Sequence, residues 1–363
     1  MLAFCAVNLM SDFLGSEFQD VLGERTKING HDRSEAPAKD FLAGLRTGDW
    51  LDQQRFDPLQ WIVPSLFPEG FSLLVGAPKI GKSWLTLSIA LAAASGGFLF
   101  GHLRVGKPRP VLLLALEDSD RRLQDRIRKL IPGDPIPPYL QYLTRVDPNE
   151  VLLTIHAWLR TIPAHAKPLI ILDTVGKVMP AALKGETQYQ RDYKVSGALK
   201  AICDARPGTA VIGVHHDRKS AADDFVETVS GTHGLAGAAD TIVVIKRPRT
   251  ESGGVLKVTG RDVEEAEYKM RLVDGVSWTT DGPDLLIAAE RAETATAEAN
   301  LGDQSAEIVR FVSAHPEGVT AAEVADITGM DVGKVRVYLG RLADSDRISR
   351  LERGVYGRAR VRA

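Results

Sequence analysis

Short runs dense in Val, Ile and Leu alternate along this chain with longer stretches whose apolar positions recur at helical spacing. The runs are Phe71–Val75, Val111–Leu116, Leu169–Leu172, Ala210–Val214 and Thr241–Ile245. They carry little polar alternation, as strands buried on both faces require. Between them, Trp84–Ala94, Arg121–Leu130, Val151–Thr161 and Tyr193–Ala205 read as helices. This rhythm predicts an α/β fold, a mostly parallel sheet covered by helices. A further pair of strands is expected over Gly254–Gly260 and Glu267–Leu272.

The flanks read differently. Residues 1–55 are taken as an N-terminal arm and linker, with a polar, unperiodic stretch from Lys27 to Lys39. Phe56–Pro68, with Trp61 and three prolines, is expected to pack ahead of the first core strand. The α/β domain is therefore placed at 56–289. Residues 290–303, rich in Ala, Glu and Thr, read as a linker, and 304–363 as a second, smaller α+β unit. No internal repeat is evident.

In that second unit, Ala306, Ile308, Val309, Phe311 and Val312 predict one amphipathic helix. Thr320 followed by Glu323 is a capping box that opens another. Gly329 makes a turn and Asp331 starts a third helix, carrying Val335, Val337, Leu339 and Leu342. Arg347–Leu351 and Val355–Gly357, joined through Arg353-Gly354, predict a two-stranded hairpin. Together these elements resemble a winged helix domain. Lys334, Arg336, Arg341, Arg350 and Arg353 would give it a basic face for duplex DNA, tempered by Asp331, Asp344, Asp346 and Glu352. The alternative is a winged helix used for protein contact.

Composition adds bounds. The 363 residues are 44% hydrophobic and 25% charged, an ordinary globular balance with room for two domains. A net charge of −2 excludes global attraction to nucleic acid, so any such binding is local. Two cysteines, Cys5 and Cys203, cannot form a disulfide framework and lack metal-ligand spacing. The apolar start, Met1–Met10, has no positive leader and is too short to span a bilayer; Met10 is a possible alternative start. A cytoplasmic protein without membrane partners is expected.

The chemistry begins at Gly76, Ala77, Pro78, Lys79, Ile80, Gly81, Lys82 and Ser83, a complete G-x-x-x-x-G-K-[ST] phosphate loop between a strand and a helix. Its glycines let successive N–H groups face phosphate oxygens, and the helix beginning near Gly81 adds its positive dipole end. Lys82 would reach the β- and γ-phosphates, and the Ser83 hydroxyl would ligate Mg²⁺. ATP and Mg²⁺ are the expected cofactors.

In a parallel sheet, ligands gather beyond the carboxyl ends of the strands. Leu169–Leu172 ends in Asp173, placed to hold the Mg²⁺ shell. Val111–Leu116 ends in Glu117-Asp118; we assign Glu117 to the attacking water and Asp118 to structure, with Asp118 or Ser119 capping the next helix. Ala210–Val214 ends in His215-His216, read as a phosphate sensor in preference to a metal site, with a core histidine as the bland alternative for one of the two.

In this order, Gly76–Ser83, Ala115-Leu116-Glu117-Asp118, Leu172-Asp173-Thr174, His215-His216 and Gly237-Ala238-Ala239-Asp240 resemble the RecA-like ATPases. The branch they most resemble is the RepA-type hexameric replicative helicases, with DnaB-type helicases as cousins. The resemblance covers roughly residues 56–275. It implies a ring, hexameric by preference, with nucleotide between neighbouring subunits. It further implies Glu117 as catalytic carboxylate, Asp173 as Walker B residue and His216 as sensor. Arg247, after the strand Thr241–Ile245, would be an arginine finger acting on the next subunit. The segments 175–190 and 218–235 would line a DNA channel, with Lys177, Lys184, Arg218 and Lys219 touching single-stranded backbone.

The reading is a DNA-dependent ATPase with a RecA-like core and a C-terminal winged helix, a ring helicase or translocase. The rivals are a RecA-like recombination or loading factor that does not unwind DNA, and an ATP-switched winged-helix regulator.

Overall fold

Each of the five apolar runs forms a strand of one nine-stranded sheet. In the computed structural model, the described residues are 42, 44–182, 184–216, 233–248, 250–299 and 303–359. The chain runs through a short helix α1 (Gly48–Asp52) and an antiparallel pair, β1 (Trp61–Val63) and β2 (Phe67–Pro68). There follow β3 (Gly70–Gly76), α2 (Lys82–Ser95), the small hairpin β4 (Phe98–Leu99) and β5 (Leu103–Arg104), β6 (Val111–Ala115), α3 (Asp120–Leu130) and β7 (Leu140–Leu143). Then come α4 (Val151–Thr161), β8 (Leu169–Asp173), α5 (Gln188–Asp204), β9 (Ala210–His216), α6 (His233–Ala238) and β10 (Thr241–Lys246). The unit ends with β11 (Gly253–Gly260), β12 (Ala266–Val273), β13 (Ser277–Thr280) and α7 (Leu285–Ala299).

The spatial order is β13-β12-β11-β10-β3-β9-β8-β6-β7. From β10 to β7 every neighbouring pair is parallel, and β11 to β13 add an antiparallel extension. This is the mixed, mostly parallel α/β sheet expected. The parallel strands are apolar on both faces because both are covered. On one side, Leu85 and Ile89 of α2 and Leu123 and Ile127 of α3 pack with Ile62 and Phe67. On the other, Val151 and Ile155 of α4, Leu199 and Ile202 of α5 and Leu235 of α6 close the second layer. Burial on this scale stabilises at about 25 cal/mol per Å² of apolar surface.

Asp240 fixes the start of the central strand. Its buried carboxylate accepts from the Phe71 amide at 3.0 Å, from Lys200 Nζ at 2.7 Å and from Arg261 Nη1 at 3.2 Å. The Gly237–Asp240 motif thus serves the fold, at the opposite end of β3 from the phosphate loop.

Three boundaries differ from the sequence reading. Residues 290–299, expected as linker, belong to α7, which packs Ala288 and Ala292 against the sheet. An Ala- and Glu-rich stretch has high helix propensity, and β12 offers it a surface. The arm contains α1, capped by Thr47; residues 1–41 lie outside the described residues. Strands β7 and β13 were not expected, because each is short and only partly apolar.

The C-terminal unit is α8 (Asp303–Ala314), β14 (Val319–Thr320), α9 (Ala321–Thr328), α10 (Val332–Asp344), β15 (Ile348–Glu352) and β16 (Val355–Arg358). Its core is Ile308, Val312, Val324, Val335, Leu339 and Ile348. The Thr320–Glu323 capping box, the left-handed Gly329 and the Asp331 cap, which accepts from the Lys334 amide, stand where the sequence placed them. The hairpin gains a third strand, β14, paired to β16.

Candidate functional site

Register brings the site together. Gly76 at the end of β3 pairs with His216 at the end of β9, and Ala115 at the end of β6 pairs with Asp173 at the end of β8. The residues that follow these strands therefore open on one cleft of about 760 Å³, lined by Lys82, Ser83, Trp84, Glu117, Arg126, His216 and Arg247. A cavity of that size suits a nucleotide.

The phosphate loop is held in its curve by its neighbours. Gly76 passes so close to β10 that an added Cβ would stand 2.7 Å from the Ile245 carbonyl oxygen. Gly81 has φ +109°, a left-handed conformation costly for any side chain. The Trp278 indole N–H, reaching in from β13, donates to its carbonyl at 3.0 Å. No side chain caps α2 at its N-terminus, whereas Ser119 caps α3 and Thr187 caps α5. The first amides of α2 thus remain available to an anion, which their dipole favours.

Lys82 is buried, and its ammonium donates to the carbonyls of Gly76 and Ala77 at 2.6 and 2.8 Å. It also stands 3.0 Å from His216 Nδ1. An ammonium only donates, so Nδ1 is the acceptor and the imidazole proton sits on Nε2. That nitrogen faces Glu117 Oε1 at 3.6 Å. Burial, and then the Lys82 charge, hold the His216 midpoint below the usual histidine value. Glu117 is half-exposed to the cleft, and its Oε1 accepts from Thr174 Oγ1 at 3.3 Å.

Asp173 is buried, and its Oδ1 has no hydrogen-bond partner among the described residues. Burial pushes its carboxyl up to about 6, while the Ser83 hydroxyl and Arg126 draw it back. An orphaned, buried carboxylate oxygen beside Ser83 is the donor set a hard cation takes. Mg²⁺ typically binds one or two such oxygens together with phosphate and water. The residues fit the cofactor they were expected to hold.

Arg247 packs within its own chain. Its guanidinium lies on its own chain's phosphate loop, donating from Nε to the Ile80 carbonyl at 3.3 Å and from Nη1 to the Glu251 carbonyl at 2.5 Å. The reason is topological: β10 lies directly beside β3, so the residue after β10 falls against the loop after β3.

Asp118 pairs with Arg126 Nη1 at 2.5 Å, and Ser119 is the residue that caps α3. Sequence reasoning missed Arg126, whose guanidinium also stacks over Trp84 at 4.6 Å. It sits one helical repeat beyond the apolar Leu123, a spacing that signals little by itself. Trp278 was missed as well.

Lys177 and Lys184 are exposed after β8, whereas Arg218 and Lys219 lie outside the described residues. In the C-terminal unit Lys334, Arg336 and Arg341 are exposed on α10. Arg353 is exposed at the hairpin turn, and Arg350 is paired with Asp344 at 2.7 Å. Among the described residues no helix is long and apolar enough to cross a membrane.

Two solved structures are similar to part of this chain. The RadB recombinase matches with a TM-score of 0.43 and 13% identity, over 60% of this chain and 93% of that one. A DnaB-like replicative helicase, solved with attention to its interactions with primase, matches with a TM-score of 0.45 and 13% identity, over 58% of this chain and 57% of that one. No curated protein matches the sequence. The phosphate loop, the strand-end carboxylates and the parallel sheet agree with a family profile that matches residues 33–222, more than half of the sequence: this chain belongs to the AAA domain family.

Proposed function

We propose that the protein is an ATP-hydrolysing, DNA-dependent motor of the RecA-like kind that works as a homo-oligomeric ring, a replicative helicase or translocase. The observation that carries the reading is the convergence of Lys82, His216 and Glu117 on one cleft beyond the parallel strand ends, with Asp173 buried beside Ser83.

The roles follow from the contacts. The loop amides and Lys82 bind the phosphates, and Lys82 stabilises charge that develops on them. Ser83 and Asp173 would hold Mg²⁺, which supplies charge neutralisation at the phosphates. Glu117, exposed to the cleft and steadied by Thr174, orients the attacking water and accepts its proton. A phosphate competing for the Lys82 ammonium would release His216 Nδ1, so that His216 reports phosphate occupancy to Glu117 and to the segment after β9. Arg247 adds positive charge from within the same chain.

The basic side chains beyond the sheet, Lys177 and Lys184, support contact with single-stranded backbone. The C-terminal unit has the helix, helix-turn-helix and hairpin order of a winged helix, and the exposed Lys334, Arg336 and Arg341 on α10 support duplex binding. The test is ATP hydrolysis by the purified protein alone, with single-stranded DNA and with duplex, alongside its mass with ATP. Single-strand stimulation in a ring-sized particle is the expected result. An unstimulated single copy that still holds duplex would overturn the motor in favour of an ATP-switched regulator.

A further inference from the structure

A second cavity adjoins the phosphate loop. About 410 Å³ in volume, it is lined by the apolar Ala77, Ile80 and Val255 and by Lys246, Arg247 and Lys269. Glu251 is the one carboxylate of its lining, so three cations face a single acidic group. Arg247 and Glu251 are shared with the nucleotide cleft, whereas Lys82, Ser83, Glu117 and His216 line the cleft and not this cavity.

Strand register brings the two lysines together. In antiparallel pairing, residues directly opposite one another share a face of the sheet. Lys246 of β10 stands opposite Val255 of β11, and Val255 stands opposite Lys269 of β12. Both lysines therefore project from one face, two strand spacings or about 10 Å apart at the backbone, with the short Val255 between them. Other cations on β11 and β12 have counter-charges: Lys257 pairs with Glu267, and Arg271 with Asp281. Lys246 and Lys269 are half-buried, and among the described residues neither ammonium has a hydrogen-bond or ion-pair partner. The third cation, Arg247, is held by the carbonyls of Ile80 and Glu251. Drawing like charges toward one cavity costs Coulomb energy, and an anion between them reverses the sign.

We propose that this cavity is an anion site separate from the nucleotide cleft, taking a phosphate group between Lys246 and Lys269 over Val255. A phosphate suits the spacing better than a carboxylate. It carries more charge and three acceptor oxygens, enough to meet two ammonium groups that approach from opposite sides. The cavity has the volume of a small-ligand site. The same chemistry has two sources, a free phosphate ligand and the backbone of a nucleic acid, and the experiment separates them.

The full chain is first saturated with a non-hydrolysable ATP analogue and Mg²⁺, so that added anion cannot enter the phosphate loop. Calorimetric titration with inorganic pyrophosphate should then show one further anion bound per chain. Lys246→Gln/Lys269→Gln should weaken that binding by roughly tenfold or more, as the loss of hydrogen bonds to a charged group requires. Lys246→Arg/Lys269→Arg, which keeps both charges, should retain most of it. Neither position lines the nucleotide cleft, so unchanged analogue affinity shows that each variant is folded. A single-stranded oligonucleotide distinguishes the sources. If backbone phosphate is the ligand, the glutamine pair should also lower the salt slope of oligonucleotide binding by about 1 to 1.5. If the ligand is a free phosphate, oligonucleotide binding should stay as it was while pyrophosphate binding falls.

Saturated protein that takes up no pyrophosphate, with an oligonucleotide salt slope unmoved by the glutamine pair, overturns the proposal. Pyrophosphate binding that survives the glutamine pair does so too, since the anion then sits elsewhere. So does binding that more analogue displaces, which is entry into the phosphate loop. Failure of the analogue to bind would instead count against the nucleotide site. Pyrophosphate uptake by Lys82→Ala, lost when the glutamine pair is added, then tests this cavity by itself.

Discussion

Lys82 Nζ stands 3.0 Å from His216 Nδ1, and because an ammonium cannot accept, the imidazole is neutral with its proton on the nitrogen facing Glu117. The strand-end histidine therefore connects the phosphate-loop lysine to the glutamate at the end of β6. Burial is the larger cause of its lowered midpoint and the Lys82 charge the next. Lys82→Ala should raise the His216 titration midpoint toward the ordinary histidine range, read by NMR with the resonance assigned through His216→Gln. A midpoint that stays where it was would dissolve the link. The native state binds this proton less readily than the unfolded chain, so stability falls as pH drops through the ordinary histidine range. His216→Gln should flatten that fall.

Glu117→Gln keeps the size of the side chain and removes its basicity. Turnover should fall by roughly 10²–10⁴ while ATP still binds. A single-turnover assay beside equilibrium binding of ATP distinguishes the two effects. Unchanged hydrolysis would remove Glu117 from the chemistry.

Trp278 supports the phosphate loop from a distant strand. Its ring is 2% exposed, and an added Cβ on Gly81 would stand 2.8 Å from its Nε1. Trp278→Ala should cost about 3–5 kcal/mol in urea denaturation, and Trp278→Phe, which loses one hydrogen bond, about 1 kcal/mol together with weaker nucleotide binding. Gly81→Ala, forced into a left-handed conformation against the indole, should lose nucleotide binding more completely than either. Full analogue affinity in Gly81→Ala would contradict the tightness of this packing.

Asp240 makes the opposite prediction. Asp240→Ala strips the Phe71 amide, Lys200 and Arg261 of a shared partner and should destabilise the fold by about 3 kcal/mol. The change is at the far end of β3 from the phosphate loop, so ATP turnover per folded molecule should hold. Selective loss of turnover with stability intact would move Asp240 into the functional machinery.

Arg336 on α10 tests the C-terminal unit. On the proposed duplex-binding reading, Arg336→Ala removes one phosphate contact and should weaken duplex binding evenly across sequences and lower the salt slope by about 1. Salt titrations of Arg336→Ala and the parent, followed by fluorescence anisotropy, measure it. Identical slopes would assign that face to protein contact.

The central strands and the phosphate loop were legible because their signals are local. Five apolar runs buried on both faces read as strands at nearly the right residues, and the loop has fixed glycines and a fixed spacing. The caps Thr320 and Asp331 were legible for the same reason: a capping side chain bonds an amide three residues away. β13 was not, since Ser277–Thr280 becomes a strand only by pairing with β12. The helix over 290–299 needed the surface of β12 before its propensity could be told from that of a linker.

By itself, then, the order of residues determined the local pieces: the buried strands, the nucleotide loop and the acidic or histidine residues that end neighbouring strands. Only the tertiary structure decided that Arg247 faces its own loop, that Trp278 buttresses Gly81 and that Lys82 and Glu117 meet across His216. Each of those contacts joins residues more than thirty positions apart along the chain. They arise because parallel pairing aligns the strand ends, and no periodicity in the sequence encodes which strand lies beside which.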